Sequence, residues 1–93
     1  MRAILFTLKT CPKCPSFKAF VQAKMPPAVE FEEINDEQEN FADKVKEFDI
    51  RQAPTLIILD NAGQEIDRIH EQAEFEDFFK KYPEIGTQSP AKN

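Results

Sequence analysis

The sequence predicts an α/β fold with the element order β-α-β-α-β-β-α, a four-stranded mixed sheet flanked by three helices. Three observations lead there. An apolar run of strand length, Ala3 to Leu8, leads into a helical apolar stripe. A stretch of alternating polarity follows, and then a second stripe. Finally, two β-prone runs flank the turn-rich Asp60-Asn61-Ala62-Gly63, ahead of a phenylalanine-rich stripe.

Ala3 to Leu8 is mostly apolar, which suits a strand covered on both faces. Phe17, Phe20, Val21 and either Lys24 or Met25 then recur every three or four residues, one face of a helix. Pro26-Pro27 ends that helix, because proline lacks the helical donor and disfavours helix in the residue before it. Val29, Phe31 and Glu33 alternate with Glu30 and Glu32, the period of a strand, which Ile34 closes. Asn35-Asp36 offers an N-cap with acids in the first turn, and Phe41, Val45 and Phe48 supply a buried stripe, so a helix is expected from about Glu37 to Phe48. Thr55 to Leu59 is β-branched and apolar, and across the turn Glu65, Ile66, Arg68 and Ile69 form the returning strand of a hairpin. Phe75, Phe78, Phe79 and Tyr82 mark a last helix that Pro83 stops. Residues 1–83 are thus expected to form one domain, and residues 84–93, with Gly86, Ser89, Pro90 and almost nothing apolar, a flexible tail. The opening strand-helix-strand unit should cross over right-handed and pair its strands in parallel.

A chain of 93 residues holds one domain and can bury a core without metals or several disulfides. With 41% hydrophobic and 31% charged residues it has the composition of a soluble globular protein. The net charge of −5 provides no basic surface for counterion release from phosphates, so neither nucleic acid nor an anionic membrane is expected as a partner. No apolar run approaches the roughly 20 residues of a membrane span. Met1-Arg2 leads straight into a strand rather than a secretory signal, so the expected location is cytoplasmic.

Both cysteines lie in Cys11-Pro12-Lys13-Cys14. Cytosolic thiols are kept reduced, and so short a loop constrains the unfolded chain little. That leaves redox exchange or metal binding as the reason for the pair. A metal site normally needs a second pair of ligands, and only His70 remains as a soft donor in this chain. Between a strand and a helix, Cys11 lies near unpaired backbone N–H groups and the positive end of the helix dipole, which favour a thiolate. Pro12 suits the first helical position, and Lys13 adds positive charge beside the thiol. Cys14, one turn later on the inner side, is placed to resolve a mixed disulfide on Cys11. Pro15 is tolerated in a first turn.

Taken in order, these elements resemble the thioredoxin and glutaredoxin-like family over about residues 3 to 82. Ile50-Arg51-Gln52-Ala53-Pro54-Thr55-Leu56 looks like the thioredoxin stretch in which a cis proline precedes the third strand and packs beside the cysteines. The resemblance implies that Pro54 is that proline and that the Ala53 backbone pairs with substrate. Phe6-Thr7-Leu8-Lys9-Thr10-Cys11-Pro12 is closer to glutaredoxins, with Lys9 one position nearer the cysteine. Where glutaredoxins carry Gly-Gly and an acid for glutathione, this chain has Ile69-His70-Glu71-Gln72. Thr10 replaces the thioredoxin tryptophan, and the acid that assists the resolving thiol in thioredoxins falls near Leu5 and is missing. His70, with an ordinary pKa of about 6.5, suits proton transfer near Cys11 if it reaches the rim.

The expected function is dithiol reduction of disulfides in protein substrates by a monomer, more thioredoxin-like than glutathione-dependent. A reductase or a low-molecular-weight thiol would donate electrons, with no bound cofactor. Two other classes are weighed. A metal carrier of the copper-chaperone type needs a strand pair where Phe41, Val45 and Phe48 form a helical stripe. A binding scaffold with idle cysteines would present the last helix as an interface.

Overall fold

A computed structural model describes residues 1–82; Pro83 and the expected tail over 84–93 lie outside the described residues. The elements are β1 (Arg2–Thr7), α1 (Cys14–Lys24), β2 (Glu30–Asn35), α2 (Phe41–Phe48), β3 (Thr55–Leu59), β4 (Glu65–Ile69) and α3 (Gln72–Lys81). Their order is the expected one. The sheet runs β2-β1-β3-β4, with β1 parallel to β2 and antiparallel to β3, and β3 antiparallel to β4. No helix among the described residues is long and apolar enough to cross a membrane.

The two central strands are buried on both faces, which explains their unbroken apolar runs. On one face Ala3, Leu5, Leu56, Ile58 and Ile69 pack against Phe17 and Val21 of α1 and Phe75 and Phe78 of α3. On the other, Ile4, Phe6, Ile34, Ile57 and Leu59 meet Phe41, Val45 and Phe48 of α2. α2 stands where the copper-chaperone architecture needs strands, so that fold is set aside.

Four expectations about boundaries need correction. β1 ends at Thr7 rather than Leu8, because the Leu8 carbonyl closes a turn with the Cys11 amide, 3.1 Å away, instead of joining the ladder. β2 begins at Glu30 rather than Val29 and continues to Asn35, held by the parallel pairing of Arg2 to Thr7 with Glu30 to Asn35. α2 begins at Phe41, not near Glu37. The Asn35 side chain accepts the Glu37 amide at 2.9 Å, and turns close from Gln38 to Asn35 and from Phe41 to Gln38 before any helical ladder forms. Pro12 is not the first helical residue. It lies in the bend before α1, and the proline of the first turn is Pro15.

The hairpin turn follows its chemistry. Asp60 Oδ1 accepts the amides of Ala62 and Gln64, both at 2.9 Å, and Gly63 adopts φ +84°, open to glycine without strain. A register shift at the start of β4 absorbs one extra residue. A reciprocal capping box between Glu71 and Glu74 opens α3.

Candidate active site

The sheet's β1 delivers the chain to a turn, and α1 receives it at Cys14. Cys11 is half-buried and Cys14 is 4% exposed, and the two form a disulfide with Cα atoms 5.4 Å apart. Because Cys14 is the first residue of α1, the positive end of the helix dipole lies at the disulfide. Proline at position 15 costs the helix nothing there, since first-turn amides have no intrahelical partner. The Lys13 carbonyl accepts the Phe17 amide at 3.1 Å and the Ser16 hydroxyl at 3.2 Å, which starts the ladder. The side chains of Pro12 and Lys13 lie exposed.

Beside the disulfide is a cleft of about 270 Å³, lined among others by Cys11, Cys14, Lys18, Glu33 and Thr7. Lys9 lines its rim, but its amine is 3.5 Å from Glu37 and its amide donates to Asp36 at 2.9 Å. Glu33 lies inside. Lys18 Nζ is 2.7 Å from one carboxylate oxygen, and Thr7 Oγ1 donates to the other at 2.7 Å. Partial burial pushes the Glu33 carboxyl up, but the hydrogen bonds from Lys18 and Thr7 and the Lys18 charge outweigh it and hold the pKa below its ordinary value. Glu33 pairs in register with Leu5, which is fully buried. The β1 position thus carries no acid, while its neighbour on β2 does.

A second, apolar cavity of about 230 Å³ lies on the α2 side, lined by Phe6, Phe41, Val45 and Ala53 among others. It shares Thr7 and Leu8 with the first. The Ala53–Pro54 peptide is cis, and Pro54 is buried. Thr55 Oγ1 donates to the Gln52 carbonyl at 2.6 Å, so its lone pairs accept from Nδ1 of His70 at 3.2 Å. His70 is thus tied to the loop around Pro54 and lines neither cavity.

The structure brings Cys11, Cys14 and Lys9 to one cleft and Ala53 to the adjoining one; Pro12, Lys13, Pro54 and His70 stand outside both linings. Sequence reasoning missed Glu33 and Lys18. Two signals were present: Glu33 is in phase with Val29 and Phe31, and Lys18 is one helical turn after Cys14. Among the described residues, no three His, Cys, Asp or Glu side chains gather as metal ligands.

No protein-family model and no curated protein matches the sequence. Solved structures do. Thioredoxin O2 from Arabidopsis thaliana, in its oxidised state, superposes with a TM-score of 0.71 at 14% identity, over 86% of this chain and 72% of that one. Thioredoxin 1 from Thermosipho africanus gives 0.65 at 20% identity, over 95% and 100%. The fold is that of the thioredoxins. Malassezia sympodialis thioredoxin gives 0.68 at 25% identity, over 86% and 72%. On this thioredoxin fold the chain places a C-x-x-C disulfide at the first helix and a cis proline before β3.

Proposed function

We propose that this chain is a thiol-disulfide oxidoreductase that reduces protein disulfides through Cys11 and Cys14. The observation that carries the reading is the unequal burial of a disulfide set at a helix N-terminus: Cys11 is half-buried and Cys14 hidden. An accessible thiolate attacks, and a buried thiol waits.

In the reduced protein, the Cys11 thiolate attacks one sulfur of a substrate disulfide. The substrate S–S bond breaks, its other sulfur leaves as a thiolate, and a Cys11–substrate mixed disulfide forms. Cys14 then loses its proton and attacks Cys11 Sγ. The mixed disulfide breaks, the substrate leaves with both sulfurs reduced, and the Cys11–Cys14 bond holds the two electron equivalents' oxidation. A reductase or a low-molecular-weight thiol restores the dithiol. Ala53, at the edge of the apolar cavity, offers its backbone to the substrate chain beside Pro54. No resident cofactor enters these steps, and the protein works as a monomer in the cytoplasm.

Insulin reduction tests this reading and identifies the donor. With NADPH and thioredoxin reductase, turnover above the protein-free rate is expected, exceeding that with glutathione and glutathione reductase. No turnover with either system would contradict it.

A further inference from the structure

We propose that Glu33, held by Lys18 and Thr7, takes the proton from Cys14 when Cys14 resolves the mixed disulfide. The inference rests on the exchange reading above and assigns one of its steps.

Geometry carries it. Cys14 and Lys18 are four residues apart on α1, so they lie one above the other on a single helix face, with Cβ atoms typically about 5–6 Å apart. Lys18 Nζ in turn holds Glu33 at 2.7 Å. Cys14, Lys18 and Glu33 line the same cleft, and the carboxylate is held by the residue one turn along α1 from Cys14. Thr7 fixes the second oxygen at 2.7 Å. Each carboxylate oxygen keeps a further lone pair, so both bonds persist when a proton or a water is accepted. A cleft of about 270 Å³ admits several waters at about 30 Å³ each, enough to bridge the sulfur and the carboxylate. The other acids on this cleft, Asp36 and Glu37, are exposed, and both are engaged with Lys9.

The step balances. The Cys14 S–H bond breaks and its proton passes to Glu33. The thiolate attacks Cys11 Sγ, and the Cys11–substrate S–S bond breaks. The departing substrate sulfur carries away the bond's electron pair and takes the proton back from Glu33 through the cleft.

Lys18 and Thr7 make Glu33 a weak acceptor, so its effect should fall below the ~10²–10⁴-fold range of well-matched acid-base groups. The test follows formation and decay of the mixed disulfide in single turnovers of the reduced protein with a chromogenic aryl disulfide, across pH 5 to 9.5. Glu33→Gln is expected to leave formation unchanged and to slow decay about tenfold near neutrality. The gap should narrow as pH rises, because hydroxide then deprotonates Cys14 without the carboxylate. Lys18→Met keeps the carboxylate and removes the charge that makes it a weak acceptor, so decay should change by less than about threefold and not slow as in Glu33→Gln. Equal slowing in both variants, a pH-independent deficit, or no deficit would overturn the role of Glu33 alone. Failure of the unsubstituted protein to form the mixed disulfide would overturn the exchange reading, and this step with it.

Discussion

Leu8 leaves β1 and remains 37% exposed while lining both cavities, the cysteine cleft and the apolar one beside Ala53. Under the exchange reading, a polypeptide that brings a disulfide to Cys11 would rest against it, and a small disulfide would not. Leu8→Ser is therefore expected to lower kcat/KM for insulin about three- to tenfold, the effect of ~0.7–1.4 kcal/mol of apolar contact, and to leave a small aliphatic disulfide unaffected. Parallel kinetics on the two substrates check this. At this scale the sequence was legible where the signal is local. The Cys11–Cys14 spacing is a contiguous motif, and Pro54 sits in a stretch that carries its own resemblance. Glu33 was not, because its meaning depends on Lys18 and Thr7, 15 and 26 residues away. Its place in the apolar phase of β2 was the sign on its own strand, and the spacing of Lys18 from Cys14 the other. Pro12 was misplaced because two prolines compete for one helical first turn, and Pro15 holds it.

Among the helices, α2 is held most lightly. None of its residues is fully buried, whereas α1 and α3 each bury at least two phenylalanine, valine or cysteine side chains. Arg68 of β4 compensates. Its guanidinium donates to the carbonyls of Phe48 at 2.6 Å and Asp49 at 3.0 Å, the exposed C-terminus of α2, while Glu65 holds it from the other side at 2.9 Å. Arg68→Ala should cost about 1.5–3 kcal/mol, the range for hydrogen bonds to a charged group. Hydrogen exchange should quicken first in α2, with β1 and β3 protected. The late start of α2 has the same character: Asn35 and Gln38 spend their side chains on local turns, a competition with the helical ladder that the apolar stripe does not report. Glu33 joins β1, β2 and α1 in one contact. Its folded pKa lies below the ordinary 4.5, so its stabilisation is present above about pH 4.5 and is lost as pH falls through the folded value. Chemical denaturation of the unsubstituted protein and Glu33→Gln should therefore differ at pH 7 and converge toward pH 3.

Over the whole molecule, the two sheet faces carry unequal shares of the core. The α1 and α3 face is sealed by Phe17, Phe75 and Phe78, each no more than 4% exposed, and the α2 face by side chains that stay partly exposed. Phe78→Ala should cost about 3–5 kcal/mol and Val45→Ala clearly less, a difference that equilibrium denaturation measures. The element order was legible because each stripe and alternation matched one burial environment; the sheet order β2-β1-β3-β4 needed the additional rule that strand-helix-strand units pair in parallel. All of this packing holds one accessible and one hidden sulfur at the start of α1. Mass spectrometry of mixed disulfides tests that assignment most directly: reduced Cys14→Ser and Cys11→Ser proteins are each mixed with oxidised insulin and quenched with acid. A persistent adduct on Cys11 in Cys14→Ser, and little or none in Cys11→Ser, is the expected result. Equal adducts in both, or a stable adduct only on Cys14, would contradict it.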